Sequence, residues 1–176
     1  MTTTQKITFS ALFIALGLLL PMAFHMIGAG PVFLPMHIPV LLAGFLAGPG
    51  VGMITGLITP ALSSVLTGMP PLMPMAVLMT IELGVYGTLA GLFYGNARWS
   101  LVTSLIGAML GGRIIYGILL AYVVPLFGIQ GTPILAWITA TLGTSWPGIL
   151  IQLVVVPLVV TAAEKMPLFA HLKVTR

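Results

Sequence analysis

Long apolar runs make up most of this chain, and clusters of glycine and proline separate one run from the next. A run of about 20 apolar residues can cross a membrane as a helix. The chain therefore has room for roughly six crossings in one all-α membrane domain, residues 1–176. The first predicted helix covers about residues 8–24. The second is short, is interrupted by Pro35 and Pro39, and ends near residue 47. The other four cover about residues 51–66, 74–94, 100–123 and 145–163.

The connections between these helices contain the residues that end helices. Residues 25–31 are predicted to form a loop, and Gly48-Pro49-Gly50 a tight turn. The longest connection, residues 125–144, contains Trp137 and has room for a short helix. No small-residue cleavage site follows the first apolar run, so we interpret that run as a retained helix and not as a signal peptide.

Composition supports the membrane interpretation. Hydrophobic residues make up 59% of the chain and charged residues 5%, and the mean hydropathy is +1.21. Soluble domains carry about 25% charged residues. The net charge of +4 comes from cations at the ends of apolar segments, so it forms no patch for nucleic acid. The absence of cysteine excludes disulfides and thiol catalysis.

Basic residues outside the predicted helices indicate an orientation. Six crossings place both termini and the turn after the fourth helix on one side of the membrane. The loops predicted on the other side contain no lysine or arginine, so the positive-inside rule predicts cytoplasmic termini. The basic residues on the cytoplasmic side are Lys6, Arg98, Lys165, Lys173 and Arg176.

Two charged side chains lie within the predicted helices. The rise of 1.5 Å per residue places Glu82 about 12 Å and Arg113 about 15 Å below the outer ends of their helices. Gln152 lies about 10 Å deep on the same arithmetic. A charge at this depth costs about 2.5–3.5 kcal/mol on insertion scales and usually serves a function. We therefore expect these three side chains to form a substrate site in the outer half of the membrane.

Each of these residues also has a structural interpretation. Glu82 and Arg113 could form an ion pair that joins two helices, which is compatible with function if a ligand competes for one partner. Gln152 could make an interhelical hydrogen bond instead of a ligand contact. Tyr86 and Tyr116 lie one turn from Glu82 and Arg113, where they either line the pocket or fill the core.

Histidine and tryptophan residues complete the candidate site. His37 lies near the outer start of the second helix, where it contacts either the ligand or a loop carbonyl. Trp137 and Trp146 flank the outer loop, where indole rings anchor helices at the lipid headgroups or stack on a ligand. The candidate substrate-binding residues are Glu82, Tyr86, Arg113, Tyr116, Gln152, Trp146 and His37.

Motifs of common enzymes are absent from the sequence. It contains no phosphate-binding loop, no aspartate, and no group of histidines and carboxylates spaced to bind a metal. Glu82 is the one carboxylate within an apolar run, so general acid–base catalysis has few candidates. We expect no enzymatic activity, no catalytic residue, no metal and no cofactor.

Five segments together match the pattern of one family. They are Ser10-Ala-Leu-Phe-Ile-Ala-Leu16, His37-Ile-Pro-Val-Leu-Leu42, Gly68-Met-Pro-Pro71, the segment around Glu82, and Gly112-Arg113. Over nearly the whole chain, this combination resembles the S-components of energy-coupling factor (ECF) vitamin transporters, which are their substrate-binding membrane subunits. Within that family the sequence is similar to the pantothenate group.

The resemblance implies partners, a location and a mechanism. Ala11 and Ala15 match the motif on helix one that docks on the transmembrane coupling subunit, which in turn joins two cytoplasmic ATPases. The ligand would lie in the outer half, among helices four to six, and the whole subunit would topple in a prokaryotic plasma membrane during transport. A B-vitamin is the implied substrate.

The identity of the vitamin rests on the chemistry of the charged pair. Arg113 suits a carboxylate, and Glu82 would orient the guanidinium or accept hydroxyl protons. Pantothenate fits this description, while cobalamin and pyridoxine-like compounds stay open. A stand-alone proton-coupled carrier that uses Glu82 is the main alternative function, and a membrane enzyme or assembly factor is the third.

Overall fold

The computed structural model describes residues 2–25, 28 and 30–166. These residues form helices and connecting segments, without strands. The α-helices are α1 (Thr3–His25), α2 (Gly30–Phe33), α3 (His37–Ala47), α4 (Pro49–Thr67), α5 (Val77–Gly91), α6 (Leu101–Ile118) and α7 (Ile134–Glu164). Irregular helical turns extend α5 over Leu72–Ala76 and Leu92–Asn96, and α6 over Leu119–Val123 and Val124–Phe127.

Five segments of the described chain are long and apolar enough to cross a membrane. A sixth apolar helix, α3, has 11 residues, whereas a crossing takes about 20. The second predicted crossing is therefore shorter than a full span. The five long segments are Thr3–Phe24, Pro49–Thr67, Leu72–Asn96, Leu101–Phe127 and Gly143–Glu164.

The short second segment is divided into α2 and α3 by residues 34–36. Leu34 has a left-handed backbone with φ of 49°, and the amide of His37 donates a hydrogen bond to the Leu34 carbonyl at the start of α3. Pro39 lies in the first turn of α3, where its missing N–H needs no partner. The prediction that Pro39 interrupts the helix is therefore wrong. The predicted loop is also shorter, because α2 begins at Gly30.

Helix α3 lies at the centre of the bundle, with ten of its residues buried. It packs against α1, α4, α5 and α7. Where α3 and α4 meet α5, a side chain at Gly44 of α3 or Gly52 of α4 would collide with the carbonyl of Gly87, and one at Gly87 would collide with Gly52. These glycines allow the backbones of α3, α4 and α5 to touch, the type of packing that holds helices together in lipid.

The connection predicted over residues 125–144 is mostly helical, because α7 begins at Ile134 and continues without a break to Glu164. Pro147 lies inside this helix, and it removes one backbone hydrogen bond without ending it. The hydroxyls of Thr139 and Thr144 donate to carbonyls one turn earlier, so these polar residues are satisfied within the helix. The prediction of a separate helix starting near residue 145 is wrong.

The two ends of the bundle differ. We call the end where α1 finishes and α7 starts the cavity end. At the opposite end, Tyr94 donates a hydrogen bond to the carboxylate of Glu164. The described basic residues Lys6, Arg98 and Lys165 fall at helix ends or connections away from the cavity. Lys173 and Arg176, which also entered the orientation prediction, lie outside the described residues.

Candidate functional site

A cavity of about 280 Å³ lies at the cavity end of the bundle. Its walls come from the end of α1, the α2–α3 break, the connection between α4 and α5, and the facing sides of α5, α6 and α7. Proline and methionine form the wall near residues 69–75, opposite the polar residues. The polar and aromatic residues that line it are His37, Glu82, Arg113, Tyr116, Trp137, Thr141, Thr144 and Ser145.

Glu82 and Arg113 form an ion pair in this cavity. Arg113 Nη1 lies 3.2 Å from Glu82 Oε1, and the side chains are 20% and 2% exposed, respectively. The helices approach closely at this level because Gly112 leaves room for the ring of Tyr86. Oε1 has no aligned hydrogen bond despite this short distance, and Arg113 Nη2 has none within the described chain. Nη2 is thus a buried donor whose hydrogen-bonding capacity the described residues leave unused.

His37 lies on the other side of the Glu82 carboxylate. Its Nε2 is 4.0 Å from Glu82 Oε2, which is too long for a direct hydrogen bond. The α2–α3 break places His37 at the first position of α3, facing α5. Within the described residues, no third histidine or carboxylate joins this pair to form a metal-binding group. Glu82 is thus flanked by a cation and an imidazole.

Tyr116 and Trp137 form an aromatic wall of the cavity. Their rings stack with centroids 5.5 Å apart and planes inclined by 22°. Gly117 lets the indole lie against α6, because a Cβ there would touch the Trp137 ring. This wall places flat apolar surface beside the ion pair, which suits a ligand with both charged and apolar parts.

Tyr86 lies below the cavity and supports the residues of the cavity wall. Its ring packs edge-on against His37, with centroids 5.2 Å apart, and it is buried without being part of the cavity wall. Tyr86 therefore supports the positions of His37 and of the Glu82–Arg113 pair. Of the two tyrosines in the site predicted from the sequence, Tyr116 is the one that lines the cavity.

Gln152 and Trp146 lie outside the cavity wall. Gln152 is 0% exposed on α7, two turns beyond Ser145, and neither polar atom of its amide has a hydrogen-bond partner among the described residues. Trp146 is 56% exposed on the outside of the bundle. The tryptophan of the cavity is Trp137, which the sequence-based site omits.

A helical pattern could have identified Trp137 as the cavity residue. Trp137, Thr141, Thr144 and Ser145 recur at the spacing of one helix face, and all four line the cavity. That face was missed because residues 125–144 were interpreted as a connection before a helix that starts near Ser145. Helix α7 instead begins at Ile134 and continues through Gly143 and Pro147.

Ala11 and Ala15 lie on the exposed side of α1, away from the cavity. Leu12 and Leu19 are exposed beside them, whereas Phe13 and Gly17 face the bundle. No described residue of the other helices therefore covers the α1 surface that contains both alanines. It is small and apolar, the kind of surface on which another membrane helix can pack closely.

A family model described as "ECF transporter, substrate-specific component" matches residues 5–160 of the chain. The match includes the whole cavity wall and, apart from residues 3–4 and 161–164, all five long helical segments. No curated protein and no solved structure matches the sequence.

Proposed function

Because the chain belongs to the family of ECF transporter substrate-specific components, we propose that its cavity binds a small organic acid of the B-vitamin class for uptake. Members of this family are substrate-binding subunits of transporters and not enzymes. The family match does not favour a stand-alone carrier that titrates Glu82. The observation that carries the proposal is the buried Glu82–Arg113 pair in the cavity wall.

The chemistry of the pair indicates the substrate class. Arg113 keeps donors for a carboxylate while its Nη1 stays near Glu82, and forked contacts of this kind are strong and directional. Glu82 and the hydroxyl of Thr141 are partners for ligand hydroxyl groups. Pantothenate combines a carboxylate with hydroxyls, and we propose it as the substrate.

Cavity volume supports a small ligand. About 280 Å³ lies just below the roughly 300–1,000 Å³ that is typical of ligand pockets. Cobalamin is too large for such a space. A pyridoxine-like ring would fit the aromatic wall formed by Tyr116 and Trp137, but it would leave the donors of Arg113 without a carboxylate.

We propose six crossings with both termini in the cytoplasm of a prokaryotic cell. Helices α2 and α3 together would form the second crossing, and their irregular junction lies inside the protein, where such backbone is tolerated in a membrane. Lys6, Arg98 and Lys165 would then lie on the cytoplasmic side. The cavity would open toward the exterior, where a vitamin is captured.

We also propose that the chain works with a transmembrane coupling subunit and two cytoplasmic ATPases. The family implies association with the subunits of an ECF module. The exposed surface around Ala11 and Ala15 is the docking face for the coupling subunit in this proposal.

Identification of the retained small molecule tests the proposed function. The protein is purified in mild detergent, denatured, and its extract is analysed by mass spectrometry. We expect an organic acid with hydroxyl groups, present at close to one molecule per chain. A retained cation, or a ligand with no acid group, would contradict the carboxylate assignment.

Substitution of the two alanines should separate transport from binding. Ala11→Leu/Ala15→Leu should abolish uptake in cells that contain the coupling subunit and ATPases, because bulky side chains hold the docking helices apart. Ligand affinity of the purified variant should stay within about twofold of wild type, since neither residue touches the cavity. Uptake is measured with radiolabelled substrate, and affinity by calorimetry.

Ala61→Leu is the matched control, because Ala61 is an exposed alanine on α4. It should leave both uptake and binding unchanged. Loss of ligand binding in the α1 variant, or equal loss of uptake in the Ala61 variant, would argue against a docking role for α1.

A further inference from the structure

A second and larger concavity lies outside the cavity, between α6 and α7. It encloses about 640 Å³ and we call it the α6–α7 groove. Isoleucine and leucine dominate its lining, including Ile106, Leu110 and Ile114 of α6 and Ile138 and Leu153 of α7. Such a lining offers too few hydrogen-bond partners to hold ordered water.

The groove adjoins the cavity. Arg113, Trp137 and Thr141 line both of them. These three side chains therefore form the partition between the cavity that contains the ion pair and the apolar groove. Tyr86, which supports His37 from below the cavity, also borders the groove. Any molecule that fills the groove therefore contacts these shared residues of the proposed substrate site.

The groove faces the region that a membrane would occupy. Its α6 wall belongs to Leu101–Phe127, and Ile149 and Leu153 of its α7 wall belong to Gly143–Glu164, two segments that are long and apolar enough to span a bilayer. Leu110 and Ile114 are 58% and 59% exposed at its mouth. From Ile106 to Ile118 it follows α6 for about 18 Å, comparable with the depth of roughly 15 Å of one leaflet of a 30 Å hydrocarbon core.

A protein partner is a poorer fit to this groove. The proposed docking helix α1 packs chiefly against α3 and α4, whereas the groove lies between α6 and α7. A coupling subunit on the α1 surface would leave the groove in contact with lipid. We propose that the α6–α7 groove binds one acyl chain of a membrane lipid, and that this chain forms the outer side of the partition beside the substrate cavity.

Tryptophan fluorescence can report the bound acyl chain directly. In Trp99→Phe/Trp146→Phe, Trp137 is the single tryptophan and lies in the groove wall. Reconstituted into vesicles of phosphatidylcholine with brominated acyl chains, this variant should lose more than half of its fluorescence. Aqueous acrylamide should quench it weakly. No transported substrate is needed, so the result is independent of the proposed function.

Bulky side chains that fill the α6–α7 groove should displace the acyl chain. Ile114→Phe/Ile138→Phe, added to the Trp137 reporter, should reduce quenching by brominated lipid at least twofold. The matched control is Leu150→Phe/Val154→Phe, which adds the same bulk to exposed positions of α7 outside the groove lining and should leave quenching unchanged. If the double variant does not fold, Ile114→Phe alone allows the same comparison.

Three results would overturn the proposal. Equal quenching in the filled and control variants would show that the lipid reaches Trp137 by another route. Strong quenching by acrylamide with weak quenching by brominated lipid would show a water-filled groove. Protection of Trp137 from both quenchers, together with cross-linked dimers, would show that a second copy of the chain covers it.

Discussion

Replacement of Arg113 by lysine should weaken binding of the acid substrate about 10- to 100-fold. The guanidinium offers several donors in a planar fork, of which Nη1 approaches Glu82 and Nη2 has no partner among the described residues. Lysine keeps the positive charge but loses the fork, and therefore at least one charge-assisted hydrogen bond worth about 1.5–3 kcal/mol. Calorimetric titration of purified protein measures the change.

Arg98→Lys is the control for this substitution. Arg98 is exposed in the connection before α6 and does not line the cavity, so its replacement should leave affinity unchanged. An Arg113→Lys protein with wild-type affinity would show that the guanidinium is structural. The ligand would then have to be held by other residues of the cavity.

A double substitution separates binding from stability. Arg113→Gln alone leaves the Glu82 carboxylate buried without its cation, and loss of one partner of a buried pair costs about 3–5 kcal/mol. Glu82→Gln/Arg113→Gln removes both charges, so its thermal stability should be close to wild type while substrate binding is lost. Retained binding in this stable double variant would remove the pair from the site.

Gly87→Leu should prevent assembly of the bundle or lower its Tm by many degrees. Even a Cβ at Gly87 would collide with the backbone of Gly52, so a larger side chain must separate α5 from α4 and from the central α3. Overpacking of this kind costs about 1–3 kcal/mol when neighbours can yield, and backbone atoms yield least. Thermal unfolding in detergent, followed by circular dichroism, measures the loss.

Gly50→Leu provides the contrast for Gly87→Leu. Apart from its own helix backbone and the adjoining residues, no described atom lies within 4 Å of a Cβ built at Gly50, at the start of α4, and this glycine has ordinary helical backbone. Its substitution should leave the Tm unchanged or raise it slightly, since glycine is a poor helix former. A similar fall in both variants would mean that α3, α4 and α5 are not in backbone contact in the membrane.

Much of this fold could be predicted from hydrophobic run lengths alone. The helices containing Glu82 and Arg113 lie close to their expected ranges, because glycine and proline clusters end them in lipid as in water. The rise per residue also placed these two charges at a similar depth, and in the structure their side chains meet. Two opposite charges within apolar helices have few other partners available.

The direction in which each side chain points around its helix could not be predicted in the same way. Gln152 has a suitable depth, but its side chain is not part of the cavity wall, since depth says nothing about which neighbour a residue faces. Trp137 was assigned to a connection because glycine and proline occur within residues 125–144. The continuous helix α7 places it in the cavity wall and leaves Trp146 outside.

The most direct test of the account compares two ligands that differ only at one end. Pantothenate carries a carboxylate, and pantothenol carries a neutral hydroxyl in its place. If Arg113 holds the acid group, wild-type protein should bind pantothenate about a hundredfold or more tightly than pantothenol, and Arg113→Lys should narrow that ratio. Equal affinity of the wild-type protein for the two ligands would contradict recognition of a carboxylate by the Glu82–Arg113 pair.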